Sequence, residues 1–212
     1  MDNNYTIRLA TVDDRDSIMD HLKAYFFREE PVNASINLID SLKHLPESAN
    51  ISVKVLQDGV SFIAIDEYGE IVGVSLNSLR TRFKNEEKIE ICNPLLEEIF
   101  KLFDYVDHEA DIFHRYPNID KFISIHIISV SSAWRNRGVA LELVYATRQM
   151  AKELSIPLIR TDCTSYFSKR LFEKLGYHCI YAKGYNDYLR SGKPIFTPKP
   201  PHKEIAVMVL ST

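Results

Sequence analysis

Residues 135–140 combine arginine, glycine and an expected helix start in a pattern suited to binding phosphate. They read Arg135-Asn-Arg-Gly138-Val-Ala140 and follow soon after a long apolar run. A helix start offers unpaired backbone N–H groups and a partial positive charge. Gly138 has no Cβ to keep a ligand from the backbone, and the two arginines add side-chain charge. An ordinary strand-to-helix turn with exposed arginines explains the same residues, so both interpretations stay open.

Glu29 and Glu30 are candidates for contact with a cationic amine, because they follow the aromatic pair Phe26 and Phe27. A protonated amine must lose a proton before it acts as a nucleophile, and a positioned carboxylate is a suitable base. Two adjacent carboxylates also raise one another's pKa. Two ordinary acids at a solvated helix end would show the same sequence.

His126 and Cys163 are further candidates by residue type. His126 lies inside the apolar run 122–130, where a lone histidine is commonly a buried residue with satisfied hydrogen bonds. Nothing near Cys163 in the sequence lowers a thiol pKa, so we expect a small strand-end residue there. The three cysteines form neither a CxxC pair nor a zinc spacing. We therefore expect a reduced, intracellular setting and no metal.

Composition restricts the protein to an ordinary globular class. The chain has 212 residues, 45% hydrophobic and 26% charged, which predicts one domain. A formal net charge of −3 argues against nucleic acid as the main partner. The first 16 residues are too polar for a signal peptide, and no apolar run approaches the roughly 18 residues of a membrane span. We expect a cytoplasmic protein with no membrane partner and no obligate protein partner.

Hydrophobic periodicity predicts the elements that must position these residues. We expect strands at residues 5–10, 51–56, 60–65, 71–76, 122–130, 158–162, 178–182 and 204–210. We expect helices from Thr11 to Pro31, over 34–45, within 80–118, from 139 to about 154, and over 168–175. Asp58-Gly59 and Tyr68-Gly69 are turn signals that make 51–76 an antiparallel meander. This order predicts one α/β domain over residues 1–212, with a helical insertion at 80–118 and a surface loop at 183–203.

The segment 135–140 also resembles a known cofactor motif. It contains neither a Walker loop nor the dinucleotide fingerprint. It is similar to the R/Q-x-x-G-x-G/A acetyl-coenzyme A motif of the GCN5-related N-acetyltransferases (GNAT), with Ala140 at the last small position. The order of elements matches as well, so the resemblance spans the whole chain.

Within that superfamily, the chain resembles the insect arylalkylamine N-acetyltransferases in three stretches. They are Phe26-Phe-Arg-Glu-Glu-Pro-Val-Asn33, the segment from Cys163 to the Lys-Leu-Gly-Tyr177 helix end, and Gly192-Lys-Pro-Ile-Phe196 with Pro201-His202-Lys203. The resemblance implies an α/β GNAT fold, with a mixed, mostly antiparallel sheet of about seven strands flanked by helices.

The implied activity is acetyl transfer from acetyl-coenzyme A to the primary amine of a small arylalkylamine of the dopamine, serotonin, tryptamine or octopamine type. Transfer is direct and uses no metal. A polyamine or protein amine as acceptor, and a protein that binds acyl-coenzyme A without catalysis, are the alternatives. The insertion at 80–118 and the loop at 183–203 favour a closed small-molecule pocket over an open peptide groove.

The resemblance gives the role of general base to Glu30, acting through water. His126 is the rival, since the vertebrate arylalkylamine branch carries a catalytic histidine at the matching strand position. Ser124 replaces the second histidine of that branch, so the pair is broken.

Hydroxyl groups are implied near the same site. Thr164 and Ser168 match two hydroxyl positions of the family that are linked to catalysis or substrate binding. Helix capping by Ser165 or Ser168 explains these residues equally well. Tyr166 is a candidate for protonating the leaving thiolate.

Contacts with the coenzyme are implied in the same way. Backbone groups of 128–130 are expected to pair with the pantetheine arm, and 135–140 to hold the pyrophosphate. The cofactor-binding residues are then Ile128, Ser129, Val130, Arg135, Asn136, Arg137, Gly138, Val139 and Ala140. Residue type and position in the sequence, rather than the resemblance, indicate which residues contact the amine by aromatic packing or charge: Phe26, Phe27, Glu29 and Tyr185.

Overall fold

The computed structural model describes residues 4–38, 50–83 and 91–212, and its centre is a seven-stranded sheet. The strands are β1 (Tyr5–Leu9), β2 (Phe62–Asp66), β3 (Ile71–Thr81), β4 (Lys121–Val130), β5 (Leu158–Cys163), β6 (His178–Gly184) and β9 (Glu204–Ser211). Their order is β1-β2-β3-β4-β5-β9-β6, and only β4 and β5 pair in parallel. The expected mixed, mostly antiparallel GNAT sheet is confirmed.

Helices cover both faces of this sheet. They are α1 (Arg15–Tyr25), α2 (Pro31–Ser35), α3 (Pro94–Ala110), α4 (Ile112–Arg115), α5 (Val139–Glu153) and α6 (Tyr166–Lys174). The loop between β6 and β9 holds a separate two-stranded hairpin, β7 (Leu189–Arg190) and β8 (Lys193–Pro194). Periodicity placed α3 and α5 correctly, since each presents one apolar face to the core.

The expected strand at 51–56 is wrong, because this segment is helical. Residues 50–53 are helical and a 3₁₀ helix follows at Lys54–Asp58. Val53 and Leu56, three residues apart, are both buried in the cluster that contains α1. Spacing by three brings two side chains to one side of a tight helix, whereas a strand would send them to opposite faces. Gly59 ends the segment with a left-handed φ of +66°.

Two other expectations have a partial outcome. The helix expected over 34–45 is wrong at its start, because α2 ends at Ser35 and residues 36–38 form a turn; the remainder from residue 39 lies outside the described residues. Strand β3 continues to Thr81, five residues beyond the expected end. Asn77 lies inside that extension, fully buried, and donates to Val60 O at 2.7 Å and to Thr147 Oγ1 at 3.1 Å. A buried polar residue interrupts the apolar pattern without interrupting the strand.

The two faces of the sheet carry different helices. Helices α5 and α6 cover one face, where Val144 and Phe172 belong to the same cluster as Ile123, Ile125 and Ile159 of the sheet. Helix α1 covers the opposite face through Ile18 and Leu22, which share a cluster with Leu76 and Ile127. Helix α3 packs in a further cluster with Val32, Phe196 and Val207.

Strands β4 and β5 separate part of the way along their length. Their parallel pairing runs over Ile123–Ile125 and Ile159–Thr161. Beyond these residues β4 continues to Val130 beside β3, and β5 continues to Cys163 beside β9. The β3 register shifts between Leu76 and Asn77 opposite His126, which is therefore the bulged residue of β4. An opening thus lies between two neighbouring strands in the middle of the sheet.

Candidate functional site

Glu30 lies at the start of α2 and is fixed by backbone donors. Its carboxylate accepts from Val32 N at 3.1 Å and from Asn33 N at 2.6 Å, and Pro31 occupies the first helical position. A carboxylate at this N-cap position satisfies backbone N–H groups that the helix cannot. Burial raises the pKa of Glu30, against the opposing effect of the backbone donors and of the Thr164 hydroxyl. The site therefore holds a carboxyl that takes up a proton more readily than an exposed glutamate.

Thr164 and Tyr185 meet Glu30 from two other elements. Thr164 follows β5, and its hydroxyl is close enough to Glu30 to lower the pKa of that carboxyl. Tyr185 follows β6, is buried, and donates its hydroxyl to Thr164 O at 2.7 Å. Burial, and then the charge of Glu30, raises the pKa of Tyr185 above its ordinary range. Three residues far apart in the chain therefore converge at the end of β5.

The neighbouring serines cap helix α6. Ser165 Oγ accepts from Ser168 N at 2.9 Å, and Ser168 Oγ accepts from Ser165 N at 3.3 Å, which forms a reciprocal capping box. Ser168 also donates to Ser165 O at 2.9 Å. Tyr166 opens the helix, is 47% exposed, and donates its backbone N–H to His202 Nδ1 at 3.1 Å. Of the two explanations for these serines, capping is the one with visible contacts.

Cys163, the last residue of β5, is buried. Its side chain belongs to the core cluster on the α5 and α6 face. Burial raises the pKa of the thiol to about 12. A thiol in this state is almost fully protonated at neutral pH and is a poor nucleophile, as expected for a small strand-end residue.

Arg135 contacts both the end of β4 and the loop before α2. Its Nε donates to Val130 O at 3.1 Å, and its Nη2 forms an ion pair with Glu29 Oε2 at 2.6 Å. The resemblance assigned Arg135 to the pyrophosphate, the residue pattern assigned Glu29 to the amine, and the structure brings the two together. The guanidinium of Arg137 lies 5.1 Å from the ring centre of Trp134, a cation–π contact.

The start of α5 has the features of an anion site. Gly138 is its N-cap with φ +87°, and Asn136 is also left-handed at φ +62°. No side chain of the described residues caps this helix start. A Cβ built on Gly138 would meet no described atom within 4 Å, so the approach to the backbone is open. The first-turn N–H groups of this 15-residue helix thus suit a phosphate.

His126 projects from the β4 bulge into a polar network on the α1 and α3 side of the sheet. Its Nε2 lies 2.7 Å from Ser78 Oγ. Part of the His126 side chain is exposed to solvent. The protein atoms packed around the rest of it, and then the charges of Arg80 and Arg160, lower its pKa to about 4. His126 is therefore neutral at physiological pH.

Arg160 forms the base of this network. It is 3% exposed and binds Asp162 through two parallel hydrogen bonds of 2.9 and 3.0 Å. Its Nη1 donates to Asp107 of α3, which also lies 3.7 Å from Arg80. The sequence patterns considered above did not reveal this network. The available signal was an arginine with an aspartate two residues later in the same predicted strand, a spacing that places both on one face.

Residues 4–38, 50–83 and 91–212 contain no group of three or more His, Cys, Asp or Glu side chains that could hold a metal ion. Across the same ranges, no helix is both long enough and apolar enough to cross a membrane.

Comparison with known proteins gives close structural matches, although no protein-family model matches the chain. Arylalkylamine N-acetyltransferase 2 from Aedes aegypti superposes with a TM-score of 0.92 at 31% identity, and the match covers 99% of each chain. A polyamine N-acetyltransferase of Drosophila melanogaster that forms N-acetylagmatine superposes at 0.83 with 23% identity, covering 98% of this chain and 100% of the other. Mosquito arylalkylamine N-acetyltransferase like 5b gives 0.84 at 24% identity, covering 98% and 100%. The last two likenesses show the fold alone.

Proposed function

Because the chain belongs to the GCN5-related N-acetyltransferase superfamily, we propose that it moves acetyl from acetyl-coenzyme A to the primary amine of a small arylalkylamine. The observation that carries the proposal is the placement of Glu30, a partly buried carboxylate with a raised pKa beside Thr164 at the end of β5. The similarity to an arylalkylamine N-acetyltransferase over 99% of both chains supports this class of acceptor. Dopamine, serotonin, tryptamine and octopamine are acceptors of this type.

Glu30 acts as the general base of the proposed reaction. It takes a proton from the ammonium group, directly or through water, and the amine lone pair then attacks the thioester carbonyl. The C–N bond forms, the C–S bond breaks, and the leaving thiolate takes up the second proton, which the attacking nitrogen loses as it becomes an amide. A base with a raised pKa is better matched to neutral pH than an ordinary glutamate. The two backbone donors of α2 hold the carboxylate in one orientation.

The opening between β4 and β5 and the start of α5 are the proposed binding surface for acetyl-coenzyme A, which supplies the acetyl thioester. The edge of β4 over residues 128–130 offers backbone groups to an extended pantetheine arm, as sheet edges do for peptides. Residues 135–140 lead into the open helix start that suits the pyrophosphate.

In this proposal His126 is not the base, and its contact is with Ser78. Its lowered pKa makes it a weak proton acceptor at neutral pH, and its Nε2 is already hydrogen-bonded to Ser78. Of the carboxylates in this network, Asp107 and Asp162 are engaged by Arg160, and Asp58 accepts a hydrogen bond from Leu79 N at 2.9 Å. A substrate with a second cationic group would have to compete with that buried guanidinium. This network therefore favours an arylalkylamine over a polyamine.

The test is a panel of amines assayed by release of free thiol from acetyl-coenzyme A. We expect turnover of tryptamine and dopamine, and lower kcat/KM for agmatine and spermidine. Preference for the dicationic amines would refute the arylalkylamine assignment, and no turnover of any amine would refute the activity itself.

Glu30→Gln tests the base, and Glu29→Gln is the matched control at the adjacent position. Loss of a general base lowers turnover by roughly 10²- to 10⁴-fold, so we expect a fall of that size for Glu30→Gln. Glu29→Gln removes the charge that pairs with Arg135. It should leave unchanged the part of the pH–rate profile that reports ionisation of Glu30. Equal losses in both variants would argue against Glu30 as the base.

A further inference from the structure

We propose that His21 is a positioning residue that fixes the open edge of β4 for acetyl-coenzyme A; this inference rests on the proposed function. His21 lies on α1 and is only 4% exposed. The proposed chemistry does not use it, and its sequence context does not single it out. Its imidazole ring nevertheless joins three elements around the strand opening.

The two ring nitrogens of His21 contact different strands. Nδ1 lies 3.1 Å from Ile71 O at the start of β3, and Nε2 lies 3.1 Å from Ser129 Oγ near the end of β4. A carbonyl oxygen only accepts, so Nδ1 carries the hydrogen. Burial lowers the pKa of His21, which keeps the ring neutral. Nε2 therefore accepts from the Ser129 hydroxyl, and the tautomer is assigned by these partners.

Ser129 is in the part of β4 that lacks β5 beside it. Strand β3 supports one edge of this segment, where Ser129 pairs with Val74, and the parallel pairing with β5 runs only to Ile125. The imidazole supplies a second support, from the sheet face that α1 covers. A strand edge held in this way is pre-organised, so less ordering is needed when a ligand pairs with it.

The same helix leads to Glu30. The ring of His21 lies 5.0 Å from that of Tyr25, the last residue of α1. The following turn is tied back to the helix, because Phe27 N donates to Leu22 O and Glu30 N donates to Phe26 O. His21 thus couples the helix that positions the proposed base to the strand that is proposed to receive pantetheine.

The experiment compares His21→Leu, His21→Gln and Ser129→Ala in the full chain, alone and as a His21→Leu/Ser129→Ala double variant. Affinity for acetyl-coenzyme A is measured by calorimetry without any amine. Thr147→Val is the matched control, because it alters a buried hydrogen bond to Asn77 on the opposite face. We expect His21→Leu and Ser129→Ala each to weaken affinity by about tenfold, the usual scale for one hydrogen bond.

His21→Gln keeps a donor and an acceptor and should recover part of the affinity, and the double variant should be little worse than either single variant. Thr147→Val should lower Tm without changing affinity. The proposal would be overturned if His21→Leu kept wild-type affinity. It would also be overturned if the affinity lost in the double variant equalled the sum of the two single losses. If His21→Leu does not fold, Ser129→Ala alone decides. The calorimetric result is independent of amine turnover, so failure of the activity and failure of the positioning role are distinguishable.

Discussion

Gly73 allows the close approach of β3 to the start of α5, and Gly73→Ala tests how much that approach matters. A Cβ at this position would lie 2.7 Å from Val139 Cγ1, 3.2 Å from Leu143 Cδ1 and 3.5 Å from Ala64 Cβ. Val139 is 1% exposed and is the first residue of α5. Its branched side chain is stiff about χ1, so it cannot rotate away freely. The contact must be relieved by moving the helix start away from the sheet.

The expected loss of stability in Gly73→Ala follows from overpacking of a buried site. One added methyl in a well-packed core costs about 1–3 kcal/mol, and in a chain of this size each kcal/mol lowers Tm by roughly 2–4 °C. The backbone conformation of Gly73 itself adds no left-handed strain, because its φ is outside the positive range. Since the helix start is the proposed pyrophosphate site, we also expect weaker binding of acetyl-coenzyme A.

The assay pairs thermal unfolding with calorimetric titration of acetyl-coenzyme A. Gly69→Ala is the control: Gly69 has φ +85° and open space where a Cβ would lie, so the change strains a turn without touching α5. Val139→Ala removes the clashing methyl groups and should restore much of the stability lost in Gly73→Ala, a coupling expected for residues in contact. Unchanged Tm in Gly73→Ala, or no rescue by Val139→Ala, would refute this account of the packing.

Two further perturbations probe the buried charges. Because the pKa of Glu30 is raised in the folded chain, its ionisation costs stability as pH rises from its ordinary pKa through the raised one. Between these two pH values, the unfolding free energy of wild type should therefore fall relative to that of Glu30→Gln. Plots of unfolding free energy against pH that run parallel for the two proteins would contradict the raised pKa. Arg160→Met should cost about 3–5 kcal/mol, since it leaves Asp162 partly buried without its cation. Chemical denaturation measures the loss, and a change below about 1 kcal/mol would mean that the network contributes little.

Most of the fold was predictable because long periodic segments carry a strong signal. The apolar run at 122–130 and the one-sided pattern of α5 each admitted one assignment. The strand predicted at 51–56 was wrong because a short apolar pattern fits both a strand and a tight helix. Tertiary packing of Val53 and Leu56 decides between them. Strand β3 was predicted too short because the partners of Asn77 come from distant positions.

The site was predictable only where a family motif marked it. The resemblance predicted Glu30 and Thr164, the aromatic residues near the expected site predicted Tyr185, and the structure brings the three together. The contacts of Arg160 with Asp107, 53 residues apart, and of His21 with Ser129, 108 residues apart, have no local signal. Each residue alone looks like an ordinary helical or strand residue, and only the sheet register and helix packing reveal the pair.

The separation of β4 from β5 has a consequence for stability in the presence of a ligand. Over residues 126–130 one side of β4 pairs with no strand of the described residues, in the middle of the sheet, where neighbouring strands would normally satisfy backbone N–H and C=O groups. A ligand that pairs with this edge gains backbone hydrogen bonds that only the folded chain can make. At a ligand concentration of 100 times Kd, binding to the folded state alone adds about 2.7 kcal/mol of stability. Acetyl-coenzyme A should therefore protect the chain from unfolding and proteolysis even when no amine is present.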